Sequence, residues 1–99
     1  MSVIEVVRIA CKKGKGDEFK ERLARGLGVQ AKDPNCLEIF YQRQVEDPDW
    51  FLLHLVWTSI PAHDAWRAAH REEWRSHILD LIEGLPQPIG HYQLVAKVK

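Results

Sequence analysis

Apolar positions change period several times along this chain, and each change marks an element. Ser2 to Cys11 is dense in Val and Ile on both faces, which predicts a strand central in a sheet. Lys12 to Gly16 is a turn. From Asp17 the period becomes helical. Phe19, Leu23 and Leu27 make the apolar stripe, and Glu18–Arg22 and Glu21–Arg25 are favourably ordered i,i+4 pairs. Gly26 and Gly28 each weaken this helix by roughly 1 kcal/mol, unless they permit close packing. Asp33-Pro34-Asn35 stops it, with Asn35 able to take a left-handed conformation. Cys36 to Val45 reads as a second strand and Phe51 to Trp57 (FLLHLVW) as a third. The Asp47-Pro48-Asp49 turn between them predicts an antiparallel hairpin.

The run from Trp57 to Leu81 holds three of the chain's four tryptophans and three of its five histidines. Ser59 is the expected N-cap, with Pro61 in the first turn. At about 100° per residue, His63, Trp66, His70, Trp74, His77 and Leu81 fall on one stripe. Arg67, Arg71, Glu72, Arg75 and Glu83 lie largely outside it. The stripe must be buried. It reads either as a core face with satisfied polar atoms or as the lining of a pocket, since large aromatics and imidazoles fill space less neatly than leucine. The region is one helix, or two meeting near Ala68 to Arg71, ended by Gly84, Pro86 and Pro88. Gly90 to Val98 is the expected fourth strand, with Tyr92, Leu94, Ala96 and Val98 at alternate positions.

The order is thus β-α-β-β-α-β, an α+β, ferredoxin-like arrangement with a four-stranded antiparallel sheet and both helices on one face. The other face keeps apolar side chains that need a partner, which predicts a homodimer with two sheets face to face. Composition narrows the function. Ninety-nine residues make one domain, spanning 1–99. Fourteen basic and fourteen acidic residues cancel, so nothing points to nucleic acid or a membrane surface. No apolar run approaches the roughly 20 residues of a membrane span. No basic region precedes the apolar N-terminal residues, so a cytoplasmic protein with free Cys11 and Cys36 is expected. His63, His70 and His77 stand seven residues apart, about 10 Å per step on a helix, too far to share one ion. Gly14-Lys15-Gly16 is a turn and no phosphate loop. No metal, flavin or other cofactor is therefore expected.

Four features in order carry a family resemblance. They are the first-strand run with its Lys/Gly turn, Asp33-Pro34-Asn35-Cys36, the strand ending Trp57-Thr58-Ser59, and Ala62-His63-Asp64-Ala65-Trp66. With them the chain resembles the antibiotic biosynthesis monooxygenase family of the dimeric α+β barrel superfamily. The resemblance implies a homodimer with a cleft between helices and sheet. It also implies cofactor-independent oxidation of a small electron-rich aromatic (a phenol, anthrone or quinol) by dioxygen. Such chemistry needs an acid/base group and a dry pocket. Active relatives often carry Glu where Leu55 stands. Heme-degrading relatives use an Asn that falls at Val6 or Val7 here, a Trp matched by Trp66, and a heme-binding His that falls near Ser76 or His77. A dimeric ligand-binding protein without catalysis and an isomerase or cyclase of polyketide-like rings are the alternatives on the same fold.

His70 is the first acid/base candidate, because histidine titrates near neutral pH and His70 shares a stripe with Trp66. His63 is the second. Trp66, Trp74, Val7 and Trp57 are the expected substrate contacts. His54, flanked by leucines, reads as a satisfied core or interface residue, His91 as exposed, and Cys11 as a small apolar residue at a strand end.

Overall fold

The structure, a computed structural model, describes residues 2–99. Its elements run β1 (Val3–Cys11), α1 (Gly16–Gln30), β2 (Cys36–Arg43), β3 (Trp50–Trp57), α2 (Ile60–Ser76) and β4 (Ile82–Tyr92). The four strands form one antiparallel sheet in the order β2-β3-β1-β4. This is the ferredoxin-like arrangement expected from the hydrophobic pattern.

Alternation decides the inner face. Val3, Val7, Ile9 and Cys11 of β1 are buried with Phe51, Leu53, Leu55 and Trp57 of β3. Phe19, Leu23 and Leu27 of α1 and Trp66 of α2 close the same cluster, so both helices lie on that face. Gly26 lets α1 approach α2: a Cβ built there would lie 3.3 Å from Nε1 of Trp74. Gly28 meets nothing within 4 Å and serves no such purpose. At the end of α1, Asn35 does not enter the left-handed region. Its backbone N–H instead donates to Oδ1 of Asp33, and its side-chain oxygen accepts from the Thr58 hydroxyl, tying the loop to the end of β3.

The C-terminal third departs from the sequence reading. α2 is one helix, capped by Ser59, whose Oγ accepts from the Ala62 N–H at 3.1 Å. It ends at Ser76, so His77 and Leu81 lie beyond it, although Leu81 is still buried in the core. Gly84, Pro86 and Pro88 do not separate the helix from the last strand. They lie inside β4, and the expected strand at Gly90–Val98 is realised only as far as Tyr92. The physical reason is position. β4 is an edge strand, where a residue without an N–H leaves no ladder bond broken on its open side. Two register shifts against β1, between Val6 and Val7 and between Arg8 and Ala10, absorb the irregularity.

Candidate active site

β1 carries one charged residue on its inner face, Glu5, between Val3 and Val7. A carboxylate among apolar neighbours must be hydrogen-bonded, and two groups do so. Nε1 of Trp57 donates to Oε1 at 2.9 Å, and Nε2 of His63 lies 3.2 Å from Oε2. The side chains of Glu5 and His63 are only 14% and 7% exposed, so water screens the pair little. His63 comes from the first turns of α2, and its ring stacks on Trp57 at a centroid distance of 5.1 Å. Nδ1 of His63 meets Nε2 of His91, from β4, at 2.8 Å.

The hydrogen bonding assigns the tautomer. With Glu5 accepting from Nε2, that nitrogen carries the proton, and Nδ1 is the acceptor facing His91. The order Trp57–Glu5–His63–His91 is therefore a chain of polar groups from the core to an exposed residue on the edge strand. It passes through opposite nitrogens of His63. Among the described residues no three His, Cys, Asp or Glu side chains converge as metal ligands.

A cavity of about 180 Å³ opens beside this chain. Glu5 and His63 form part of its wall, with Val7, Leu53 and Leu55 from the sheet and Trp66 and Trp74 from α2. Pro86 and Pro88 close it from β4, and Gln30 from α1. Arg67, Arg71 and Arg75 line it from α2, although the helical wheel set them outside the stripe. Arg67 and Arg71 are exposed and Arg75 half-buried, so the three mark its rim.

The sequence-derived candidates divide accordingly. His63, Trp66, Trp74 and Val7 come together around the cavity. Trp57 is fully buried beneath it and touches the site through Glu5 and His63. His70 is not among the lining residues. Its ring leans on Trp66 at 5.4 Å, its side chain is 44% exposed, and Nδ1 lies 3.5 Å from the Glu73 carboxylate. His77 caps α2. His54 sits on the opposite face of the sheet, stacked on Phe40 at 4.5 Å, and its buried Nδ1 has no partner, where a satisfied histidine was expected. The thiols take no part: burial, then nearby carboxylates, pushes Cys11 and Cys36 up to about 11, so both stay protonated near neutral pH.

Glu5, Gln30 and the arginine rim escaped the sequence reading. For Glu5 the signal was present, since it shares the odd positions of β1 with Val3, Val7 and Ile9 and so had to point inward. Its cross-strand partner is Leu55. The carboxylate absent from β3 at Leu55 thus stands one strand away, on the same face.

The family model for antibiotic biosynthesis monooxygenase matches residues 2–83. The chain belongs to the antibiotic biosynthesis monooxygenase family. Solved structures of similar fold include a protein from Bordetella bronchiseptica provisionally named as such a monooxygenase. It has a TM-score of 0.85 and 23% identity, over 96% of this chain and 98% of that one. A protein of the same provisional name from Nitrosomonas europaea gives a TM-score of 0.80 and 19% identity, over 95% and 90%. SnoaB, a cofactor-independent oxygenase from Streptomyces nogalater, gives 0.80 and 18%, over 98% and 96%. Among curated proteins none matches the chain significantly. At these identities the likeness is one of fold, and the polar set around the cavity rests on the geometry of this chain alone.

Proposed function

We propose that this family member is a cofactor-independent monooxygenase of a small hydroxyaromatic, with His63 as the base and Glu5 as the residue that positions it. The observation that carries the reading is the buried Glu5–His63 pair in the wall of a cavity faced by Trp66 and Trp74. Membership of the family and the cofactor-independent oxygenase among the similar structures support it.

The chemistry follows from the polar chain. Glu5 holds the proton on Nε2 and leaves Nδ1 as the acceptor. A substrate hydroxyl that takes the place of His91 gives its proton to Nδ1. Glu5 then stabilises the imidazolium at 3.2 Å. The phenolate, shielded from water between indole rings, passes one electron to dioxygen. Superoxide and the phenoxyl radical combine at ring carbon to give a peroxide, which loses water to leave a quinone. One oxygen atom enters the product and the other leaves as water. All four electrons come from the substrate, so the step needs no external reductant.

At about 180 Å³ the cavity is smaller than the roughly 300–1,000 Å³ of drug-sized ligand sites, which favours one or two fused rings. Two copies packed through the outer sheet face complete the assembly in this reading. The test is oxygen uptake across a panel of hydroquinones, naphthols and anthrones, with His63→Ala as comparison. Uptake that falls by about 10²-fold in the variant is the expected result. Binding without uptake by any compound would leave a ligand-binding protein or an isomerase.

A further inference from the structure

We infer that the substrate is an acid: a hydroxyaromatic carboxylate whose anionic group is held by Arg71 and Arg75 at the cavity rim. The inference rests on reading this cavity as the substrate site.

The rim is a charge arrangement that the fold itself does not use. Arg67, Arg71 and Arg75 recur at i, i+4 and i+8 on α2, and like charges at that spacing destabilise a helix. Arg67 has Asp64 at 3.9 Å. Neither Arg71 nor Arg75 has a carboxylate within ion-pairing distance among the described residues. The one acidic residue that lines the cavity, Glu5, is already bonded to Trp57 and His63. The cavity is thus cationic in a chain of zero formal net charge. Guanidinium groups match a carboxylate through paired N–H donors, and a planar acid also stacks on indole.

Two buried polar groups stand behind the cavity wall. Oε1 of Gln30 and Nε1 of Trp74 are buried without a hydrogen-bond partner, and both residues line the cavity. Gln30 is only 5% exposed. The Trp74 N–H packs against Gly26 of α1 and both atoms are closed off from solvent, so the preference for an acid rests on the arginines. The charged rim and the buried His63 lie at different depths. A ligand with its carboxylate and its phenol at opposite ends of two fused rings spans them.

Calorimetric titration of the whole protein with 6-hydroxy-2-naphthoate and with its neutral carboxamide tests this. The acid is expected to bind about tenfold or more tightly than the carboxamide, and to lose most of that margin at 1 M salt, where the Debye length is about 3 Å. Arg71→Gln and Arg75→Gln should each weaken the acid about fivefold or more and leave the carboxamide unchanged. Arg25→Gln, an exposed change of equal charge on α1, should alter neither. Equal affinities for acid and carboxamide, no binding of either, or a preference that survives Arg71→Gln/Arg75→Gln would overturn the inference. Oxygen uptake is read separately. Uptake with neutral naphthols but no preference for acids sinks this inference and leaves the oxygenase reading intact. Tight, arginine-dependent binding of the acid without uptake does the reverse.

Discussion

Oε2 of Glu5 and Nε2 of His63 lie 3.2 Å apart, although 58 positions separate them along the chain. One stands in the middle of β1 and the other in the first turns of α2, so the pair exists only because α2 packs over β1 and β3. For the proposed activity, the buried carboxylate fixes the proton on Nε2 of His63 and leaves Nδ1, which faces His91, as the acceptor. Glu5→Gln keeps an acceptor for the Trp57 N–H and removes the charge. It is expected to lower turnover about 10- to 100-fold with KM little changed. With His63→Ala the losses should not add, since the two act as one unit. Steady-state oxygen uptake for both single variants and the double variant measures this.

His70 and Trp66 should separate in kinetics. His70→Ala is expected to keep turnover within about threefold of the parent, because the ring is half in solvent, faces Glu73 and does not line the cavity. Trp66→Phe should raise KM with a smaller change in kcat, since it trims a cavity wall and leaves the base untouched. Circular dichroism checks that both remain folded.

The outer sheet face is expected to pair two copies. Phe40 is 43% exposed there and stacks on His54, and Leu94, Val95 and Val98 beyond β4 are also exposed. Light scattering at low micromolar concentration should give twice the chain mass of 11.5 kDa. Phe40→Lys should shift the equilibrium toward monomer by placing a charge on that face. A parent protein of single mass would remove the face-to-face assembly.

The two glycines of α1 should respond differently to alanine. Gly28→Ala adds a methyl into open space and should raise stability by about 0.5–1 kcal/mol. Gly26→Ala brings its methyl to 3.3 Å from Nε1 of Trp74 and should gain clearly less or lose stability. Chemical denaturation of the three proteins compares them.

Acid should loosen the tie between α1 and β2. The Arg43 guanidinium, through its hydrogen bond and then its charge, holds the Asp17 carboxyl below its ordinary value of 3.8. A depressed carboxyl contributes stability above its unfolded value and loses it as pH falls through the folded one. The contribution of Asp17 is therefore complete above about pH 5 and fades below 3.8. Thermal melts between pH 2 and 6 should show a shallower acid limb in Asp17→Asn than in the parent.

The sequence by itself determined the order of elements, the antiparallel hairpin, the Ser59 cap and the buried side of α1, because each rests on a local period or a local hydrogen bond. It also brought His63, Trp66 and Trp74 onto one stripe, since i, i+3 and i+4 spacing is a property of one helix. Tertiary structure alone decided the rest. Gly84, Pro86 and Pro88 read as breakers, yet at the edge of the sheet the prolines' missing donors and the glycine's positive φ cost little, so all three became strand and the two prolines cavity wall. His70 shares the stripe with His63, but the sheet covers only the early turns of α2 closely enough to bury the imidazole there. Strand register set Glu5 opposite Leu55 and beneath His63, and helix packing put Gln30 beside the same space. No period within either segment encodes such a meeting, because it depends on how far one element slides and tilts over another.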